Sequence, residues 1–265
     1  MITSKDNEII KRVSKLMTGA KYRRECGLFV AEGARICADG ARSGAAIDTF
    51  LYTERAREKY AAEFECIASR AERSFEVSEP LFRKMGDTDT PQGMACIFRI
   101  PDRQTLLSDI RPRHVYLALE NIQDPSNMGT ILRSAEAFGT DGIILSRDCC
   151  DIYAPKVVRG SMGAIFRLAF AAAEDFTAVI GDITRRGIPT YASTPHQARD
   201  INTVDFSQGG VMLVGNEGNG LTQQTIAACS ERVKISMRGR AESLNASAAA
   251  AVLLYEINSR FAAAE

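Results

Sequence analysis

Residues 115–265 alternate short apolar runs with helical stretches, and that alternation leaves few folds open. The runs are VYLALE (115–120), GIILS (142–146), PTYAS (189–193), VMLVGN (211–216) and VKISM (233–237). Strands apolar along their whole length are covered on both faces, and strands joined through helices run parallel. The pattern predicts an α/β fold with a mainly parallel sheet between helical layers. A long Ala-rich helix over roughly 244–263 closes the chain.

The first hundred residues have a different texture. Ile9, Ile10, Val13, Leu16 and Met17 recur at helical spacing. Strands are expected at 28–33, 47–53, 75–77 and 94–100, with helices at 34–43 and 54–70 between them. This predicts a small α/β domain over 1–100, a linker PDRQTLLSDIRPRH over 101–114, and a second domain over 115–265.

Charge excludes little by itself, since Lys+Arg and Asp+Glu are both 33. Residues 1–36, however, hold eight Lys/Arg against four Asp/Glu. The seven cysteines show no CxxC pair, and with two histidines they assemble no metal cluster by spacing, so no metal is expected. Scattered thiols, no signal-peptide run and no stretch near the ~18 apolar residues of a membrane span point to a cytoplasmic protein without a membrane partner.

In open parallel sheets, ligands collect beyond the carboxyl ends of the strands. Three unusual loops follow strands here: NIQDPSNMG (121–129), GNEGNG (215–220) and RGRAESLNAS (238–247). In the first, Asp124 and Asn127 can cap the next helix, Pro125 suits its first turn, and Gly139 stops it. Met128, Ile131, Leu132, Ala135 and Phe138 give that helix a core face. Arg133 is explained by none of this; it lies four residues from both Gly129 and Ala137, on an uncrowded face. It is either a solvated surface residue or a ligand for a phosphate or hydroxyl. The second loop lacks G-x-G-x-x-G spacing and falls late in the chain, which argues against a dinucleotide-binding oxidoreductase. The third places a carboxylate, a hydroxyl and an amide at a helix start, where one cap would suffice.

Together these loops resemble the three signature motifs of the SpoU-type (TrmH-type) RNA 2′-O-ribose methyltransferases of the SPOUT class. Asn121, Asp124, Pro125, Asn127, Gly129, Arg133, Ala135, Phe138 and Gly139 match the first. Gly215, Glu217, Gly218 and Gly220-Leu221-Thr222 match the second. Ile235, Met237, Gly239, Glu242-Ser243-Leu244-Asn245, Ser247 and Tyr255-Glu256 match the third. RGSMGAIFRL (159–168) also resembles the family, and the N-terminal part is similar to its ribosomal-protein-like substrate-binding domain.

The resemblance implies a deep trefoil knot in the C-terminal domain, S-adenosylmethionine as cofactor, and a homodimer whose active site draws on both subunits. It implies catalytic roles for Arg133, Asn127, Glu217, Ser243 and Asn245, with Asn127 orienting Arg133 or the ribose. Gly215, Asn216, Gly218, Ile235, Met237, Leu244, Asn245 and Ser247 would hold the cofactor. From their own chemistry, Lys21, Tyr22, Arg23 and Arg24 are either a solvated helix and turn or, with Arg133, contacts to RNA, with ribosomal RNA placed ahead of transfer RNA as substrate. The competing expectation is a non-catalytic RNA-binding protein that keeps the fold; loss of Arg133 or of ESLN would favour it, and both are present.

Overall fold

The computed structural model describes residues 1–86, 90–101 and 104–262. The first segment runs α1 (Glu8–Thr18), α2 (Ala20–Cys26), β1 (Leu28–Glu32), α3 (Ala34–Arg42), β2 (Ile47–Tyr52), α4 (Glu54–Lys59), α5 (Ala61–Ala68), β3 (Ser74–Glu76), α6 (Glu79–Met85) and β4 (Met94–Arg99). Its sheet has the order β1-β4-β2-β3, antiparallel except for β2 with β3. Ile10, Val13 and Leu16 of α1 pack with Leu28, Val30, Leu51 and Ile97 on one face. The helix expected over 54–70 is two helices meeting at Tyr60, whose ψ of 48° leaves the helical range.

Next come β5 (Val115–Leu119), α7 (Pro125–Ala137) and β6 (Gly142–Ser146), then α8 (Pro155–Gly160) and α9 (Ala164–Arg167). Asp151–Arg167 forms one compact unit with Met1–Pro101; the remaining chain forms the other. Aromatic contacts account for this grouping. Phe166 lies 4.7 Å from Phe98, and Tyr153 lies 4.8 Å from Phe29, ring centre to ring centre. So residues 151–167, expected within a domain over 115–265, group with the N-terminal unit instead.

The second unit continues with β7 (Phe170–Ala173), α10 (Phe176–Arg185), β8 (Thr190–Ser193), β9 (Arg199–Asp200), β10 (Gly210–Val214), α11 (Gln223–Ala228), β11 (Glu231–Lys234) and α12 (Ala246–Ala262). Its sheet has the order β7-β6-β5-β10-β8-β11-β9, and every strand pair is parallel, as the apolar runs predict. Tyr116, Ala118, Val211 and Leu213 face Ile180, Ile183 and Ile226 across one layer, while α12 packs beside α7 over β10 and β5. No helix among the described residues is long and apolar enough to cross a membrane, and all seven cysteines are free thiols.

The basic stretch at 21–24 needs correction. Arg23 is 3% exposed: its Nε donates to Asp151 at 2.8 Å, and Nη1 donates to the carbonyls of Leu16 and Met17. It therefore cannot contact RNA as expected. Two consecutive helical residues project about 100° apart, so one arginine turns inward while Arg24 stays exposed. Tyr22 is half-buried against the core, and Lys21 faces Glu25 at 3.7 Å. Arg12, from the same basic region, pairs with buried Asp48 at 3.1 Å.

Removing one partner of a buried ion pair strands the other in a poorly solvated place. Arg23→Ala should lower stability by about 3 kcal/mol in urea unfolding, whereas Arg24→Ala should change it by under about 0.5 kcal/mol. Equal effects of the two substitutions would refute the structural role of Arg23.

Candidate functional site

β5 and β10 are adjacent and parallel, with Leu119 opposite Val214, so the loops that follow them emerge side by side. The third loop follows β11, which β8 separates from β10. A side-chain bridge nevertheless joins all three. Asn127 Nδ2 donates to Glu217 Oε1 at 3.0 Å, and Asn127 Oδ1 accepts from Asn245 Nδ2 at 3.0 Å. Asn245 Oδ1 in turn accepts from the Ser247 backbone N–H at 2.9 Å and its hydroxyl at 2.6 Å. A carboxylate only accepts, so Glu217 fixes which way each successive amide points. The chain of donors is polarised from α12 toward Glu217.

Local sequence places each member. Asp124 caps α7 by accepting from the Ser126 N–H at 2.8 Å. This leaves Asn127, inside the first turn and 7% exposed, to reach across the loops. Asn127 thus bonds Glu217 and Asn245; of its two expected partners, Arg133 or the ribose, Arg133 is not bonded. Asn245 starts α12, its carbonyl accepting from the Ala249 N–H at 2.9 Å.

Burial pushes the Glu217 carboxyl up. Hydrogen bonds from Asn127 and from the backbone amides of Glu217, Asp124 and Gln123 outweigh that and hold it below the usual glutamate range. The second loop is also locked to the first. Asn216 Nδ2 donates to the Asn121 carbonyl at 2.9 Å, and its Oδ1 accepts from the Gly218 and Asn219 N–H groups. Asn121 sits at φ 56°, a left-handed conformation that asparagine tolerates better than most side chains.

Gly215 has a steric reason to be glycine. A Cβ there would lie 2.2 Å from the Gly220 carbonyl carbon, so any side chain breaks the closure of its own loop. A bulky residue at this position would therefore disturb folding as well as any ligand.

Ile235, Met237 and Leu244 line a single hollow of 130 Å³ together with Ser243, Leu253 and Thr194. Gly215, Asn216, Gly218, Asn245 and Ser247 do not line it. Ser193, which ends β8 and was expected only as strand, and Thr194 and Pro195 just beyond it also line the hollow. Arg133 is exposed on α7, six residues beyond Asn127, and its side chain makes no hydrogen bond or ion pair among the described residues.

Glu120 is a further residue the sequence reading missed. It is 8% exposed at the end of β5 and accepts from the Thr222 N–H at 2.8 Å, the Thr222 hydroxyl at 2.9 Å and the Thr225 hydroxyl at 2.7 Å. The signal was there: a carboxylate directly after an apolar strand needs buried donors. Among the described residues, no cluster of three or more His, Cys, Asp or Glu could hold a metal ion.

Comparison with known proteins finds relatives over nearly the whole chain. Residues 114–255 match the SpoU rRNA methylase family, and residues 7–96 match the MRM3-like substrate binding domain. The chain is 25% identical to the 23S rRNA (guanosine(2553)-2′-O)-methyltransferase RlmP of Bacillus subtilis, over 97% of this chain and 98% of that one. It is 28% identical to the 23S rRNA (uridine(2479)-2′-O)-methyltransferase of Streptomyces viridochromogenes, over 96% and 90%. The AdoMet-bound rRNA methyltransferase of Sinorhizobium meliloti superposes with a TM-score of 0.84 at 31% identity, covering 97% of both chains. With three motif loops bridged at the carboxyl edge of a parallel sheet, the chain belongs to the SpoU rRNA methylase family.

Proposed function

We propose that this protein transfers a methyl group from S-adenosylmethionine to a ribose 2′-hydroxyl in ribosomal RNA. The Glu217–Asn127–Asn245 bridge carries the reading, because it fixes three loops that share no strand pairing of their own. Family membership supports the chemistry, and the ribosomal substrates named for its relatives support the RNA class ahead of transfer RNA. Those relatives act on a guanosine and a uridine, so the base does not carry over.

The hollow fits part of the cofactor. Ile235, Met237, Leu244 and Leu253 offer apolar walls for a flat ring, and Ser193 and Thr194 add polar atoms. Its 130 Å³ falls below the ~300 Å³ of small-ligand pockets, so the remainder needs space outside it. Ser243 and Leu244 belong to this wall, and Asn216, Asn245 and Ser247 hold the loops beside it. S-adenosylmethionine held there would supply an activated methyl for the 2′-oxygen, with the sulfur as leaving group keeping the bonding pair and the hydroxyl proton passing to water.

Arg133 cannot take that proton, because a guanidinium stays charged. Its role is to stabilise the developing alkoxide and hold a neighbouring phosphate. Glu217 stays ionised and anchors the bridge. The N-terminal unit is the RNA-binding module. A homodimer forms through α12, whose outer side exposes Val252 at 42% and Tyr255 at 59%, with Ala248 between the loops and them.

Mapping 2′-O-methyl positions in total RNA, with and without the protein, tests the whole reading. Arg133→Ala should cut transfer by at least ~100-fold with cofactor affinity unchanged, the loss typical of a transition-state donor. Near-normal turnover would remove Arg133 from the chemistry.

Glu217 gives a pH signature. Its folded pKa is lowered, so its stabilising contribution is present above the unfolded value and fades as pH falls through the folded one. The difference in unfolding free energy between wild type and Glu217→Gln should be largest near neutrality. It should close below about pH 4. A difference that grows in acid would contradict the assignment.

For assembly, Val252→Glu with Tyr255→Glu should convert the dimer to monomer in light scattering. A wild-type mass unchanged by the pair would place the interface elsewhere.

A further inference from the structure

With Arg23 buried, the 21–24 stretch offers less open surface to RNA than its sequence suggests. Elsewhere in the N-terminal unit, two hollows share a wall at Thr90 and Gln92. The larger, of 590 Å³, is lined by Arg55, Lys59 and Arg83, the ring of Tyr60, and one carboxylate, Glu79. The smaller, of 360 Å³, has Ile36 and Met162 as apolar walls. It also presents Arg35 and Arg159 together with Glu32 and Asp39.

The two differ in chemistry. In the larger hollow, Arg55, Lys59 and Arg83 form no ion pair with any carboxylate among the described residues. Tyr60 stands at the break between α4 and α5, and Lys59 Nζ lies 5.0 Å from its ring centre. An aromatic face among unpaired cations is what a single strand uses, with phosphates on the cations and a base stacked on the ring. Glu79 Oε1 is buried with no hydrogen-bond partner, an acceptor left unsatisfied in this wall.

In the smaller hollow, charges of both signs disfavour a phosphate and suit the mixed donor and acceptor edge of a base. Its groups are held in place beforehand. Gln92 Oε1 accepts from the Ala34 N–H at 2.8 Å, which sets the direction of its amide. Met162 is 46% exposed and sits at φ 50°, a conformation unfavourable for a large side chain. An exposed thioether is a soft, adaptable surface for a flat base to pack on. Arg159 and Met162 belong to RGSMGAIFRL, the stretch that the family resemblance singles out and the bridged loops leave unused.

We propose that these joined hollows grip a single-stranded segment of the substrate RNA. Phosphates lie along Arg55, Lys59 and Arg83, one base stacks on Tyr60, and a neighbouring base enters the smaller hollow beside Gln92 and Met162. This rests on the reading of the protein as an RNA methyltransferase.

Anisotropy titrations of the full chain with single-stranded fragments of ribosomal RNA test it. The triple variant Arg55→Gln, Lys59→Gln, Arg83→Gln should bind at least ~10-fold more weakly. Its log–log salt slope should fall by about 2, from three contacts at about 0.7 each. Tyr60→Ala should weaken binding about tenfold, with recovery in Tyr60→Phe. Lys21→Gln with Arg24→Gln should lose less than the triple variant. Unchanged urea midpoints and cofactor affinity would show that the variants fold. Wild-type affinity and slope in both the triple variant and Tyr60→Ala would overturn the groove, and normal methylation by those variants would leave the functional reading standing. A wild-type protein that neither binds nor methylates RNA would overturn both.

Discussion

A carboxylate that can only accept hydrogen bonds sets the order of the site. Glu217 forces the Asn127 amide to present its nitrogen, which turns the Asn127 oxygen to Asn245 and leaves the Asn245 oxygen for Ser247. The parallel sheet brings the first two loops together without help, because β5 and β10 pair directly. It cannot do so for the third loop, since β8 lies between β10 and β11. The Asn127–Asn245 bond spans that gap. Each such bond contributes only about 1 kcal/mol net, so its value lies in position more than in stability.

The same edge explains the Leu221-Thr222 part of the second motif. Thr222 caps α11 by accepting from the Thr225 N–H at 3.2 Å and also donates its hydroxyl to Glu120. A buried carboxylate at the end of β5 is thereby satisfied by the start of α11. Gly215 completes the loop by the absence of a side chain, since Gly220 occupies the space a Cβ would need. Much of the second motif is thus architecture that holds Glu217 where Asn127 can reach it.

Most of the sheet was legible because apolar runs and helical periodicity are local signals. The cap at Asp124 and the buried face of α7 through Met128, Ile131, Leu132 and Ala135 follow from spacing alone. What failed depends on distant partners. Nothing in KYRR says that Arg23 meets Asp151, 128 positions away, while Arg24 faces water. Likewise, Phe166 and Tyr153 look like ordinary apolar residues until Phe98 and Phe29 claim them for the N-terminal unit. β7 reads FAAA and β9 spans two residues, too short for periodicity to find. VKISM was expected as strand to 237, but β11 ends at Lys234, which frees Ile235 and Met237 to line the hollow.

Asn127, Asn216, Glu217 and Asn245 all have their polar atoms engaged within the three loops. Arg133 stands apart, exposed and without a partner among the described residues. That contrast bears on mechanism. A guanidinium committed to a neighbouring carboxylate would have to break that pair before it could stabilise a developing alkoxide, and part of its benefit would be lost. Left open, as the proposed chemistry requires, it would meet its anion only when a phosphate or a ribose oxygen enters, and its interaction would strengthen as charge develops. Of the two opening alternatives for Arg133, a solvated surface residue or a ligand for an oxyanion, the proposed chemistry needs both in turn: solvated while the site is empty, and paired as the reaction proceeds.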